Sequence, residues 1–528
     1  MKKILALIMC VMIVALSLAA CGEENGTNES KAPETSKTTE TSKVEESSVE
    51  EISESENERI LRDPDIYKGS DYSGKTFTAW VCGIGTDYTS DFVYNEGVSE
   101  ERLPETVNHA IQVRNDKVEE ALGVEIKDIY YKSSARYGGD SLTQVRNFIN
   151  GANQEIDLIS VCLYDCGTLA MEGSLYDLYS LENINMENPW WEQYFNESVT
   201  VANQLYFTIG DVSLNSKGAT PVVFYNYDLI EKLGLEDPFK IAIRGEWTVD
   251  KALEYSKSLV VDSADPVGEI DYKDEFGWAG QYDDMYAMLY GAGVRILSPG
   301  PDTYPTLSLD NETAIGIVDQ VITLMKDDSY VSGNDYFGVS ATPMVLLQQS
   351  FQEGRCMFYS GGIDNASVFE MDDTFGILPV PKYTVEQEEY YSLINTWTCN
   401  ALGIGVNLDE DEAEFAAAVL DVMGYYSWSG YPDSVVNNYY VKMLKNQKLA
   451  TEDSEYILDL VFGARGCELG SIFQIGKINS TSGKTVNDVL IDLMGSKTVG
   501  GFASKYETYA GAFESDVETL VERFKDGE

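Results

Sequence analysis

Residues 157–163 read DLISVCL. The run is apolar almost without a break, the pattern of a strand covered on both faces. Ahead of it, Lys75–Cys82 (KTFTAWVC) mixes β-branched and aromatic residues and reads as a strand. Thr106–Leu122 carries Val107, Ile111, Val118 and Leu122 at helical spacing, and Gly123 suits a left-handed C-cap. Val124–Tyr131 is a second strand and Leu142–Ile149 a second helix. Strand, helix, strand, helix, strand implies right-handed crossovers and a mostly parallel sheet.

The alternation continues. Leu205–Ile209 and Pro221–Tyr225 predict strands, and Asp228–Leu233 a short helix closed by Gly234. Thr248 is a good N-cap for a helix running to Leu259. Ala314–Met325 is amphipathic. Cys356–Tyr359 predicts a strand ending at Gly361-Gly362, and Phe375–Val380 another. Glu412–Met423, Tyr456–Phe462 and Val486–Met494 read as helices, so the last hundred residues carry little strand pattern.

The N-terminus reads as an address. Lys2 and Lys3 precede an apolar run, Ile4–Ala20, which ends at Leu18-Ala19-Ala20-Cys21. The run is short for a membrane span, and small residues precede Cys21 as a signal peptidase requires. The pattern resembles a bacterial lipoprotein signal (1–21), with Cys21 as the lipidated first residue of the mature chain. Residues 22–59 hold 12 Glu, four basic residues and no aromatic. Such a segment cannot offset its ordering entropy, which predicts a disordered acidic tether of roughly 35 Å average span.

The whole chain has 528 residues and a formal charge of −51, from 88 Asp+Glu against 37 Lys+Arg. Removing the +2 of 1–21 and the −8 of 22–59 leaves −45 on the folded part, 60–528. That balance excludes general nucleic-acid binding, which needs clustered cations, and charge-driven attachment to anionic lipid. It favours neutral or cationic ligands over strongly anionic ones. One histidine, His109, excludes zinc chemistry of the HExxH type and falls on the solvent side of its helix. Cys82, Cys162, Cys166, Cys356, Cys399 and Cys467 are too few for a disulfide scaffold in so large a domain. Packed thiols are the favoured reading, with the disulfide state left open.

No motif carries catalysis. Ser482-Gly483-Lys484-Thr485 ends like a phosphate loop, but the leading glycine position holds Ile478. Asn407–Glu412 lacks the glycine of a calcium loop and suits an acidic helix start. The expectation is no enzyme, no metal and no cofactor.

Set in order, the segments carry a resemblance. RNDKVEEALGVEIK (114–127), DLISVCLYDCGTLAMEGSLYDL (157–178), NPWWEQYF (188–195) and LYFTIGDVSL (205–214) begin the series. VVFYNYDLIEKLGL (222–235), GEWTVDKALEYSK (245–257), FQEGRCMFYSGG (351–362) and FGILPVPKYTVEQEEYYSL (375–393) complete it. The chain resembles extracellular solute-binding proteins of family 1, the substrate-binding lipoproteins of carbohydrate ABC importers.

The resemblance implies an α/β, two-lobe periplasmic-binding-protein-like fold of type II, with hinge-linked lobes, a ligand cleft and a helical C-terminus. It places lobe 1 at about 72–214 and 385–428, and lobe 2 at about 215–384 and 429–528. Hinges are expected near Asp211–Leu214 and Pro381–Thr384. The implied function is capture of an oligosaccharide by a monomer, held through Cys21 on the extracellular face of the membrane, for delivery to ABC permease subunits. A lipid-anchored glycoside hydrolase using paired carboxylates and a peptide binder on the same fold are the alternatives.

Sugar capture needs flat aromatic faces and polar groups for hydroxyls. Tyr164 and Asp165 follow the buried strand and so sit at its carboxyl end, where open α/β sheets bind ligands. Asp211 follows Leu205–Ile209 at the expected hinge. Trp278 and Tyr282 lie in a stretch that the family turns to its cleft, with Gln281 as a further amide. Gly362 would let backbone approach the ligand closely, Asp364 follows it, and Trp397 precedes a returning strand. Trp190-Trp191 and Trp80 read as packing.

Overall fold

The computed structural model describes residues 67, 72–85, 88–100, 102–263, 268–300, 303–445, 454–479 and 483–525. All belong to one compact unit, Glu54–Glu528. The expected signal, the tether and Cys21 lie outside the described residues.

One sheet is built around the opening stretch. Strand β3 (Leu158–Cys162) is buried at every position, because the sheet is covered on both faces. Parallel to it lies β1 (Thr76–Gly83), and β2 (Glu125–Lys132) pairs in parallel with β1 at the edge. The expected parallel order holds for these three. The fourth strand, β13 (Asn400–Gly403), returns from far along the chain and runs antiparallel to β3.

Helix Glu105–Leu122 connects β1 to β2 and buries Val107, Ile111, Val118 and Leu122, one face at helical spacing. Gly123 ends it at φ 74°, a left-handed conformation that favours glycine, and its N–H bonds the Glu119 carbonyl. The strand expected at Leu205–Ile209 is not continuous. Thr208 instead makes an isolated antiparallel bridge to Leu402, extending the sheet edge by a single pair.

The second sheet has the order β11–β4–β10–β6–β5, with β9 (Tyr330–Ser332) also on β6. Strands β4 (Pro221–Asn226) and β11 (Phe375–Leu378) are antiparallel to each other, and β4 is antiparallel to β10 (Cys356–Gly362). Strands β6 (Glu275–Gly280) and β10 are parallel, while β5 (Val260–Val261) runs antiparallel to β6. The strand through Cys356 passes beyond its expected stop at Tyr359, because Gly361 and Gly362 pair with Val222 and Pro221. A small hairpin, β7 (Leu297–Pro299) with β8 (Pro305–Leu307), stands apart.

Caps account for several helix limits. The Thr248 hydroxyl accepts from the Lys251 N–H at 3.3 Å, and the helix ends at Ser256, a turn early. The Asn311 and Asp409 side chains cap helices Glu312–Lys326 and Glu410–Ser427. The C-terminal part is helical, ending in Phe502–Lys525.

The chain crosses between the sheets at 211–220. It returns after β11 through β12 (Ser392–Leu393), which pairs in parallel with β14 (Arg465–Gly466). Pro381–Thr384 is not at that crossing. Lys382 exchanges backbone hydrogen bonds with Trp247 and Val249, so this segment is tied to the second sheet's own layer.

Trp190 and Trp191 are buried, and the Trp190 indole N–H donates to Asp421 at 3.1 Å. Trp80 is half-buried, packed on Tyr131 and Phe148. The six cysteines are buried free thiols. His109 is exposed. Among the described residues no helix is long and apolar enough to cross a membrane.

Candidate functional site

A cavity of about 450 Å³ opens between the two sheets. It lies beyond the carboxyl ends of β3, β6 and β10, where α/β sheets place ligands. Tyr164 comes from the end of β3, Gln281 and Asp283 from the end of β6, and Gly361, Gly362 and Asp364 from the end of β10. Asn395–Thr398 enter from the segment leading to β13, and Asn215 and Gly218 from the crossing. A second cavity of about 380 Å³ lies beyond β1 and shares Asn215 and Asp364 with the first. The two therefore abut along one groove.

Five expected residues meet at the first cavity: Tyr164, Gln281, Gly362, Asp364 and Trp397. Tyr164 lies not in a loop but in the first turn of helix Leu163–Met171, its ring tilted against Tyr137 at 4.9 Å. Burial pushes its phenol pKa up, so the hydroxyl stays protonated. Trp397 is 42% exposed, the most open tryptophan of the cleft. The Asn395 side chain accepts from the N–H groups of Trp397 and Thr398 at 3.0 and 3.1 Å. The Arg136 guanidinium donates to both their carbonyls and to Asn400 Oδ1. The loop is thus held from both sides, which orients the indole in advance of a ligand.

Gly362 makes its close approach to protein rather than to the open cavity. A Cβ there would lie 2.9 Å from the Gly218 carbonyl, and one on Gly218 would strike the Asp364 carboxylate. These two glycines let the crossing segment lie against the end of β10. Asp364 is exposed and accepts from the Tyr439 hydroxyl at 2.7 Å.

The other four lie elsewhere. Asp165 is wholly buried; it turns under the helix start and accepts from the Gly138 N–H at 2.9 Å. Burial pushes its pKa up to about 6. Asp211 is buried at the crossing against Lys217. Trp278 is 0% exposed, stacked on Trp247, with its indole N–H on Ser360 Oγ at 2.9 Å. Strand β6 is buried at five successive positions, so the sheet is covered on both faces there and either direction leads into the core. Tyr282 packs beside Gly495 of helix Val486–Ser496 and does not line the cavity.

Sequence reasoning missed Asp283, Asn215, Asn395 and Tyr359, all of which line the cavity. Asp283 follows the end of β6, so the strand-end rule had the signal, but Trp278 and Tyr282 drew the reading. Asn215 and Asn395 sit in irregular segments whose position only the folded chain defines. Asp284, beside Asp283, accepts from the Gln281 N–H at 2.9 Å in a capping box, and burial raises its pKa to about 8.

No family model and no curated protein matches the sequence. Solved structures are similar. Apo RafE from Streptococcus pneumoniae superposes with a TM-score of 0.50 at 12% identity, over 85% of this chain and 99% of that one. The chain has the two-lobe periplasmic-binding-protein fold. The ABC substrate-binding protein Lmo0181 from Listeria monocytogenes, solved with cycloalternan, is similar at 0.49 and 13% identity, over 85% and 99% of the two chains. The GacH receptor of Streptomyces glaucescens, solved unliganded and with acarbose, is similar at 0.49 and 14%, over 84% and 98%. In this fold the two sheets are the two lobes, and the groove described above is the space between them. Among the described residues no cluster of His, Cys, Asp and Glu is arranged to hold a metal ion.

Proposed function

We propose that this protein is an extracellular solute-binding protein that captures a carbohydrate, an oligosaccharide, and hands it unchanged to ABC permease subunits. One observation carries the reading. Both lobes contribute to a single groove, in which Trp397 and Tyr164 offer aromatic faces and Asn215, Gln281, Asn395 and Asp364 offer groups for hydroxyls. The second cavity lengthens the groove beyond what one sugar ring needs. Lobe closure about the crossings at 211–220 and 392–399 would complete the enclosure. The reading includes a monomer anchored through lipidated Cys21 on the outer face of the membrane.

Calorimetric titration against pooled oligosaccharides, with peptide pools alongside, tests it. One-to-one binding of a glycan recovered intact supports capture. Shortened glycan would make the protein a hydrolase. Peptide binding without glycan binding would overturn the substrate class. Metabolic labelling with a fatty acid, lost in Cys21→Ala, tests the anchor.

A further inference from the structure

We infer that the ligand is a cationic glycan, an oligosaccharide bearing free amino groups, with Asp283 as the residue that selects it. The inference rests on the sugar reading above and names its substrate class.

The lining of the first cavity is one-signed. Asp283, Asp284 and Asp364 reach it, and among the described residues lining it there is no Lys, Arg or His. The three carboxyls differ in what they already do. Asp284 is engaged by the Gln281 N–H, and Asp364 by the Tyr439 hydroxyl. Asp283 is exposed to the cavity, and no hydrogen bond or ion pair engages it among the described residues. Tyr164 of the opposite lobe lines the same cavity. A group bound between the lobes would therefore meet Asp283 on one side and the Tyr164 ring on the other.

An ammonium fits that place better than a hydroxyl. A charge-assisted bond to a carboxylate is roughly twice as strong as a neutral one. Trp397, the open indole of the same cavity, adds a face that attracts cations. The start of helix Tyr282–Gly291 would otherwise favour an anion, but Asp283 and Asp284 occupy its first turn and cancel that attraction. Arg136 of the opposite lobe is spent on the carbonyls of Trp397 and Thr398. Arg102 and Arg136 line the second cavity, so the preference for an amine belongs to the first.

The test uses the purified full chain and four probes of matched length: a β-1,4-glucosamine oligosaccharide, its fully N-acetylated form, the parent glucan, and a trilysine peptide. The expected result is that the free-amine form binds at least tenfold tighter than the acetylated and parent forms. Asp283→Asn, checked for an unchanged melting temperature, should bring the three glycans to within about threefold of one another. Parent or acetylated glycan binding as tightly as the amine would overturn the inference and leave sugar capture standing. An amine preference that survives Asp283→Asn would overturn the role of Asp283. Trilysine binding with no glycan binding would overturn both the sugar reading and the glycan class. Binding of none of the probes would count against both as well.

Discussion

Lys217 Nζ stands 2.8 Å from Asp211 Oδ1, with both side chains buried where the chain crosses between the sheets. Glu192 lies 3.2 Å from the same ammonium and also meets the Arg465 guanidinium, whose Nη1 donates to the Ser216 carbonyl and Thr220 Oγ1 at 3.1 Å. Two acids and two bases thus balance within one buried cluster. Burial works against the Lys217 ammonium, but Asp211 and Tyr440 together outweigh it and the pKa rises. Asp211, expected as a ligand residue, is instead part of what holds the crossing together.

Removing Lys217 leaves Asp211 buried without its counter-charge. Lys217→Met should cost about 3–5 kcal/mol in denaturant unfolding, the usual cost of breaking a buried pair from one side. The double variant with Asp211→Asn should lose less than the two single losses added together. Additive losses would show that the pair does not act as a unit.

Trp397 gives the opposite pattern. It is exposed, so Trp397→Ala should leave the melting temperature within a few degrees of the parent. Glycan affinity should fall about tenfold, the loss expected of one aromatic face at about 1.4 kcal/mol. Titration at equal protein concentration checks this. Undiminished affinity would remove Trp397 from the site.

Gly218 tests the contact beneath the cleft. Gly218→Ala places a methyl against the Asp364 carboxylate, which must swing and surrender the Tyr439 hydroxyl. Glycan affinity should fall by more than tenfold, whereas Gly338→Ala, with open space around it, should be silent. Equal affinities in both variants would show that the carboxylate is free to move without consequence.

Acidity should stabilise this chain. Burial raises Asp157 and Glu468 to about 7, Asp165 to about 6 and Asp284 to about 8. Each native pKa exceeds its unfolded value, so the native state holds more protons across this range. Their contribution is complete below pH of about 4 and is lost as pH rises through 6 to 8. The melting temperature should therefore be higher at pH 5 than at pH 8. Glu468, wholly buried, carries part of that slope. Glu468→Gln should flatten it. A melting temperature that climbs from pH 5 to pH 8 would contradict the assignment.

By itself the sequence determined the alternation of strands and helices. DLISVCL marked a strand covered on both faces, which runs from Leu158 to Cys162, and the spacing of Val107, Ile111, Val118 and Leu122 marked the buried side of a helix. Local periodicity and caps suffice for that, and they also placed Tyr164 and Asp364 at strand ends. Tertiary structure decided the rest. Whether Trp278 faces a cleft or a core depends on Trp247, 31 positions away in the chain, stacking against it. Asp211 was taken up by Lys217 because the crossing buries both. The groove itself is made by segments far apart in sequence, with Asp283 brought near Tyr164. Nothing local to either residue encodes that meeting, because it depends on how the two sheets pack about the crossings.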